Sequence, residues 1–227
     1  NQITNTNPKN KEKQTYQRKT TLTQQRSTAK LRLGASSAII APILAFTCII
    51  AAVTSYPAFS WTNNALSDLG IIAGITGPLF NFGLFGSGLL AFNFAVFGLL
   101  TYFKKSWVGK IGAALFAATS LALMAIGIFN ESFSPTHYIA SVAFFTLAPI
   151  SLFAITCALW LTHKHAMAAF TAIMGIAAAL PWLLLFAFNY VPGVAIPEFT
   201  SGMAISVWAV MLGYKMLKET PQPKLSP

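Results

Sequence analysis

The chain has 227 residues, of which 55% are hydrophobic and only 9% are charged. Soluble domains average about 25% charged residues, and the mean hydropathy of +0.62 points to a membrane protein. This composition excludes a disordered chain, a disulfide-stabilised secreted domain and an ordinary soluble enzyme. We therefore expect one polytopic membrane domain.

The N-terminal segment, residues 1–33, is basic and rich in Asn, Gln and Thr. It holds eight of the 15 Lys and Arg residues and is nearly free of apolar side chains. Because such a segment cannot bury a core, we expect a disordered cytoplasmic tail with a weak attraction to anionic lipid. The basic residues are not interleaved with aromatic ones, so we expect no nucleic-acid partner.

Apolar runs long enough to cross about 30 Å of hydrocarbon occur six times. The predicted fold class is therefore an all-α polytopic membrane bundle of six transmembrane helices, occupying residues 34–217. Residues 218–227 are expected to form a short cytoplasmic C-terminal tail. The predicted spans are Gly34–Ser55, Gly77–Phe103, Val108–Phe129, Pro135–Leu161, Ala166–Tyr190 and Glu198–Leu217.

The segments between these spans alternate in charge. All 15 Lys and Arg lie in or beside the terminal segments and the second and fourth loops, and the other loops contain none. By the positive-inside rule, the basic side is the cytoplasm. We therefore expect a multi-pass protein of the plasma membrane, in contact with the lipid bilayer, with both termini cytoplasmic (N-in, C-in).

The first outer loop carries a cluster of polar side chains. Asn64, Ser67 and Asp68 lie close together in it, next to Trp61. The apolar residues of this loop predict that it folds into the outer mouth of the bundle. Two interpretations stay open: the polar residues cap a short helix and turn, or Asp68 anchors a polar site.

The third loop adds a second acidic position, Glu131, at the C-terminal end of a span, where the helix dipole disfavours negative charge. His137 is its nearest candidate partner. Together with Asp68, these side chains form a ligand set that can hold Zn, Mn or Fe. They can also act as general acid and base, with Ser132 or Ser67 as the nucleophile.

The third alternative for this loop is a hydrogen bond that only fixes its shape, since no diagnostic catalytic spacing is present. The catalytic residues are therefore unknown, and a divalent metal is the one cofactor that the residue types suit. We expect no haem, because no His lies within a span, and no nucleotide. Glu198 lies in the first turn of the last span, where its charge suits the dipole, so we interpret it as structural.

The second span is rich in small residues, which let helices approach closely. Asn81 is a polar residue in the same span, and interhelical hydrogen bonding is its default role. The middle of every span lacks Asp, Glu, Lys, Arg and His, which disfavours proton pumps, voltage sensors and most ion-coupled transporters. The predicted packing residues are Gly83, Gly86, Ser87 and Gly88.

Three sequence motifs, F-S-W-T-N-N-A-L-S-D-L-G, G-P-L-F-N-F-G-L-F-G-S-G and G-I-F-N-E-S-F-S-P-T-H-Y, occur in this order along the chain. They resemble the prokaryotic membrane family catalogued as domain of unknown function 998, over residues 35–217. That family is in turn distantly similar to a eukaryotic six-span group that includes the damage-regulated autophagy modulators. The resemblance puts Asp68, Asn81, Glu131 and His137 at motif positions and implies that the motifs lie on the non-cytoplasmic side. It implies no activity.

Two functional hypotheses follow. The first is a polar, acidic site at the outer mouth, built from Asp68, Glu131 and His137, floored by Asn81, and holding a small polar ligand, a lipid head group or a divalent cation. The second is a non-catalytic accessory or assembly subunit that packs against other membrane subunits or against itself. Whether the protein is an enzyme is left open.

Overall fold

The computed structural model describes residues 8–220, and of residues 8–10 and 21 it describes the backbone only. Six helices in this range are long and apolar enough to cross a membrane, and no β-strand occurs among the described residues. The prediction of an all-α, six-span membrane protein is therefore confirmed. The helices are α1 (Pro8–Thr54), α2 (Thr76–Tyr102), α3 (Trp107–Ile128), α4 (Thr136–Leu161), α5 (His165–Phe188) and α6 (Ala195–Glu219).

The ends of the helices differ from the predicted spans by a few residues, for local reasons. The α6 helix begins before Glu198 because Pro197 fits a first helical turn, where its missing N–H is not needed. The α3 helix is capped by Ser106, whose hydroxyl accepts from the N–H of Gly109 at 3.1 Å. The α5 helix ends at Phe188 and is followed by Asn189, which adopts the left-handed conformation (φ 47°) typical of helix C-termini.

The structure differs from the expected disordered tail. From Pro8 onward the N-terminal segment is helical and continuous with the first span. Its side chains at residues 11–20 and 22–26 are exposed, so packing does not explain the helix. A span that is already helical removes the cost of nucleation, and each further residue then adds one hydrogen bond. Residues 1–7 and 221–227, the ends of the two predicted tails, lie outside the described residues.

Each helix packs against its neighbours in sequence, and α1 also packs against α6. The six helices therefore form a closed ring. We call one end of this ring the acidic end, because Asp68, Glu131 and Glu198 lie there. The opposite end, with the α2–α3 and α4–α5 loops, is called the basic end. A single long connection, residues 55–75, joins α1 to α2 across the acidic end.

The predicted small residues of α2 lie on more than one face. Gly83 is in contact with Cys48 of α1, and Gly86 faces the same helix. A Cβ on Gly88 would lie 2.7 Å from a side-chain atom of α3. Ser87 points between these two contacts, into the interior of the ring. The small residues thus allow α2 to approach both of its neighbours closely.

A polar cluster ties three elements together at the basic end. Lys164, in the α4–α5 loop, donates to the Tyr102 hydroxyl at 2.5 Å and lies 3.4 Å from the Glu219 carboxylate. Lys215 lies 3.1 Å from the same carboxylate. Because these charges are partly exposed, their ion pairs contribute little to stability. They do, however, connect the ends of α2 and α6 to the α4–α5 loop at the basic end.

Candidate functional site

The loop between α1 and α2 folds over the acidic end of the ring, as its apolar residues predict. Leu66 and Leu69 are buried, at 6% and 0% exposure. The backbone of the loop is held to the start of α6, because Gly193 N–H donates to Thr62 O at 2.8 Å and Ala195 N–H to Asn64 O at 2.9 Å. A 3₁₀ turn, Ser67–Ile71, completes this cover.

Asp68 and its neighbours form hydrogen bonds within the loop itself. The Asp68 carboxylate accepts from Asn64 Nδ2 at 2.6 Å and from the N–H of Ala65 at 3.1 Å. Asn64 Oδ1 accepts from Ser60 N–H at 2.9 Å. Side-chain oxygens that bond nearby backbone in this way stabilise turns. The capping interpretation of these residues therefore describes what the structure shows for Asp68 and Asn64.

Trp61 and Asn81 also lie away from the centre of the acidic end. The Trp61 ring packs edge to face on Phe199, with centroids 5.1 Å apart, and is 39% exposed. Asn81 Nδ2 donates to Gly70 O at 2.9 Å, which fastens α2 to the 3₁₀ turn. Asn130 Nδ2 reaches the same carbonyl at 3.4 Å. Asn81 thus supports the loop.

Ser67 lies between two carboxylates. Its hydroxyl donates to Glu131 Oε1 at 2.6 Å. The backbone N–H of Leu66 donates to Glu198 Oε2 at 2.6 Å, and the N–H of Ser67 also points to that carboxylate. The loop therefore brings both Glu131 and Glu198 to Ser67.

His137 is the fourth polar member of this group. It lies in the first turn of α4 and is only 7% exposed. Its Nδ1 is 2.7 Å from Phe129 O, and because a carbonyl only accepts, Nδ1 carries a proton. Its Nε2 is 3.4 Å from the Ser141 hydroxyl, one turn along the helix. Both ring nitrogens therefore face partners other than Glu131.

The expected metal set of Asp68, Glu131 and His137 does not come together in this arrangement. Asp68 bonds within its own loop, and Glu131 accepts from Ser67. Among residues 8–220, no group of three or more His, Cys, Asp or Glu has a geometry that could hold a metal ion. Ser67 also faces a carboxylate instead of the imidazole, and Ser132 is exposed.

A groove of ≈ 630 Å³ opens at this group. Its lining combines polar side chains at the acidic end with apolar and aromatic ones. In the described part of the chain its lining has no Lys or Arg, and its two acidic residues are Glu131 and Glu198. The polar residues, which we call the polar end, are Ser67, Glu131, His137, Ser141 and Glu198, and the apolar and aromatic residues include Tyr138, Val142, Phe145, Trp182, Leu185 and Phe186.

A second cavity, which we call the central cavity, lies inside the ring and has a volume of ≈ 120 Å³. It is lined by residues of α1, α2, α3, α4 and α6 and is covered by Leu66 of the loop. It adjoins the groove, since the two share four lining residues. These are Ser67, Ser141, Phe145 and Glu198.

Sequence reasoning missed part of this site. Glu198 was assigned to the helix dipole, yet its carboxylate holds the loop and lines both cavities. The sequence did contain an indication of this role, because Glu198 is the third acidic residue on the side that has no basic residues. Ser141 could have been found one helical turn after His137. Trp182, in the middle of an apolar span, gave no signal.

One family model matches most of the chain. The model of the family described as "Protein of unknown function (DUF998)" matches residues 39–215. No curated protein and no solved structure matches the chain. The similarity to the autophagy modulators and the prokaryotic origin stay predictions. Since the matched range reaches into all six helices and covers most of the chain, the protein belongs to the DUF998 family of integral membrane proteins of unknown function.

Proposed function

We propose that this membrane protein binds an amphiphilic molecule with a positively charged ammonium head group, in the groove at the acidic end. One observation carries the proposal. The groove combines two carboxylates, Glu131 and Glu198, with an apolar and aromatic remainder, and no Lys or Arg lines it within residues 8–220. An ammonium head on an apolar body matches both the charge and the polarity of this lining.

The polar end suits a cation for two reasons. Carboxylates in a partly desolvated groove attract a positive charge more strongly than they would in water. Aromatic rings add cation–π attraction when an ammonium lies over them, and Tyr138 and Trp182 line the same groove. The indole N–H of Trp182 is buried without a hydrogen-bond partner in the described part of the chain. A polar atom of a ligand can satisfy this donor.

The groove can also receive a ligand from the bilayer. Tyr138 and Phe186, which line it, are 69% and 76% exposed. On a helix that crosses the membrane, such residues face lipid. An amphiphile can therefore enter the groove from the bilayer while its head group stays near the membrane–water interface.

The proposal includes an orientation. We infer that the acidic end faces the non-cytoplasmic side of the plasma membrane and that both termini are cytoplasmic. The distribution of the 15 Lys and Arg residues supports it, because none of them lies in the loops of the acidic end. The head group would then come from the outer leaflet or from outside the cell.

The test compares two ligands of equal chain length and opposite charge. We expect hexylammonium to bind the purified protein in phosphatidylcholine nanodiscs, with empty nanodiscs as the blank, and hexanoate to bind at least about tenfold more weakly, equivalent to about 1.4 kcal/mol. Glu131→Gln and Glu198→Gln should each weaken hexylammonium binding by about tenfold or more. Asp68→Asn removes the same charge outside the groove and is the matched control. Equal binding of the two ligands would refute the proposal.

The accessory-subunit hypothesis stays a prediction beside this one. Native mass measured after gentle detergent extraction from the source membrane separates them. A particle of this chain alone, or of a small number of copies, fits the ligand-binding proposal. Migration within a much larger complex favours the accessory subunit and identifies its partners.

A further inference from the structure

We propose that the central cavity is the subsite for the apolar chain of the amphiphile, which enters it from the groove past Glu198. The inference rests on the proposed function and adds the class of ligand: a single-chain ammonium amphiphile whose chain ends inside the helix ring. The head would lie at the two carboxylates, and the chain would lie among α1, α2, α3, α4 and α6.

The position of the cavity supports this route. Groove and cavity share Ser67, Ser141, Phe145 and Glu198, so they meet at the polar group of the acidic end. A head group held there lies at the entrance of the cavity. One chain extending from that head has the cavity directly beside it.

The lining of the cavity is that of a chain-binding pocket. Most of its residues are Ala, Leu, Ile and Phe. Three of its hydroxyl groups already bond within their own helices: Ser87 donates to Leu84 O at 3.1 Å, Thr119 to Leu115 O at 3.0 Å and Ser120 to Phe116 O at 2.8 Å. These three groups therefore leave the α2 and α3 side of the cavity largely apolar.

Volume and shape limit the chain. An apolar protein cavity of about 150 Å³ stays dry and binds benzene, so ≈ 120 Å³ accepts an apolar segment of about six carbons. Toward the basic end, Gly34 of α1 meets the backbone of Gly98, and a Cβ on Gly213 would lie 2.8 Å from Ala35 O. These close contacts, together with the buried ring of Trp208, close the ring below the cavity.

Photolabelling tests the inference in the unaltered protein. The probe is hexylammonium with a diazirine at the end of its chain, in phosphatidylcholine nanodiscs. We expect labels on interior residues such as Leu84 and Leu123, and we expect unlabelled hexylammonium to remove them. Labels confined to lipid-facing residues such as Phe186 would overturn the inference.

Cavity-filling variants give a second, independent measurement. Ala45→Phe and the milder Ser206→Leu both fill the central cavity. We expect each to weaken hexylammonium binding at least about fivefold and to remove the interior labels, while methylammonium, which has no chain to place in the cavity, keeps its affinity. Ala114→Leu adds the same bulk on an exposed face of α3 and should change neither.

The two proposals fail in different ways. If hexylammonium shows no preference over hexanoate, the proposed function is wrong and the inference falls with it. If that preference holds but filling the cavity leaves hexylammonium binding unchanged, only the chain subsite is wrong.

Discussion

Asp68 and Glu131 are carboxylates at the same end of the bundle with different tasks. Asp68 accepts hydrogen bonds from Asn64 and Ala65 of its own loop. Glu131 accepts from Ser67, 64 residues earlier in the chain, and lines the groove. The hydrogen bonds therefore assign Asp68 to the shape of its own loop and put Glu131 at the groove.

The first prediction compares these two residues. Asp68→Asn should lower the free energy of unfolding by about 1 kcal/mol, because it weakens hydrogen bonds to a charged acceptor, and should leave hexylammonium affinity unchanged. Glu131→Gln should weaken hexylammonium binding and leave the free energy of unfolding nearly unchanged, since Gln keeps an acceptor for Ser67 but removes the charge. Denaturant unfolding in detergent and ligand titration measure the two effects. If both variants lose binding equally, Asp68 belongs to the site after all.

At the scale of the helices, the close approach of α1 to α2 controls the packing of the ring. Gly34 and Gly98 meet backbone to backbone, at the stretch where α2 opens into π-helical turns, Phe94–Leu99. No side chain fits between them. The helix pair thus depends on glycine at these positions.

The second prediction follows from this contact. Gly34→Ala should destabilise the bundle by about 1–3 kcal/mol, because the added methyl group meets backbone atoms that cannot move away cheaply. Gly202→Ala is the matched control: its Cβ would lie 3.9 Å from the nearest Phe46 atom, and alanine favours helix. Unfolding in detergent compares the variants. Equal free energies of unfolding for the two variants would contradict the prediction, because α1 and α2 could then move apart at no cost in stability.

The third prediction concerns the exposed N-terminal part of α1. Deletion of residues 1–26 should leave the stability of the bundle unchanged, because side chains 11–20 and 22–26 are exposed. The far-UV circular dichroism signal should fall by the helix that is removed. Loss of a folded particle on gel filtration would instead give this segment a structural role.

For the whole molecule, the ring and its charges define two unlike ends. The fourth prediction tests which one faces outward. In a background with Cys48→Ser and Cys157→Ser, a cysteine at Asn63 should react with a membrane-impermeant maleimide on intact cells. The Lys105→Cys variant, with its cysteine at the basic end, should react only after the membrane is permeabilised. The opposite pattern would invert the proposed orientation.

Several features of the fold follow from local sequence. The six apolar runs each became a membrane-spanning helix, because a backbone in hydrocarbon must satisfy its own hydrogen bonds. The apolar residues of the first loop likewise predicted its burial, as seen at Leu66 and Leu69. The helical state of residues 8–33 was not predicted from the sequence. Composition indicates whether a segment can bury a core, but it does not indicate whether a helix continues into that segment from a neighbouring span.

The sequence by itself determined the membrane class, the number of spans and the segregation of acidic and basic residues to opposite ends, since each depends only on composition and order along the chain. The tertiary structure alone decided which acidic residues share a cavity. Glu198 reaches Leu66 across 132 positions, and Glu131 reaches Ser67 across 64. Contacts over such distances depend on how the ring closes and how the loop folds over it, and neither leaves a periodic pattern in the sequence.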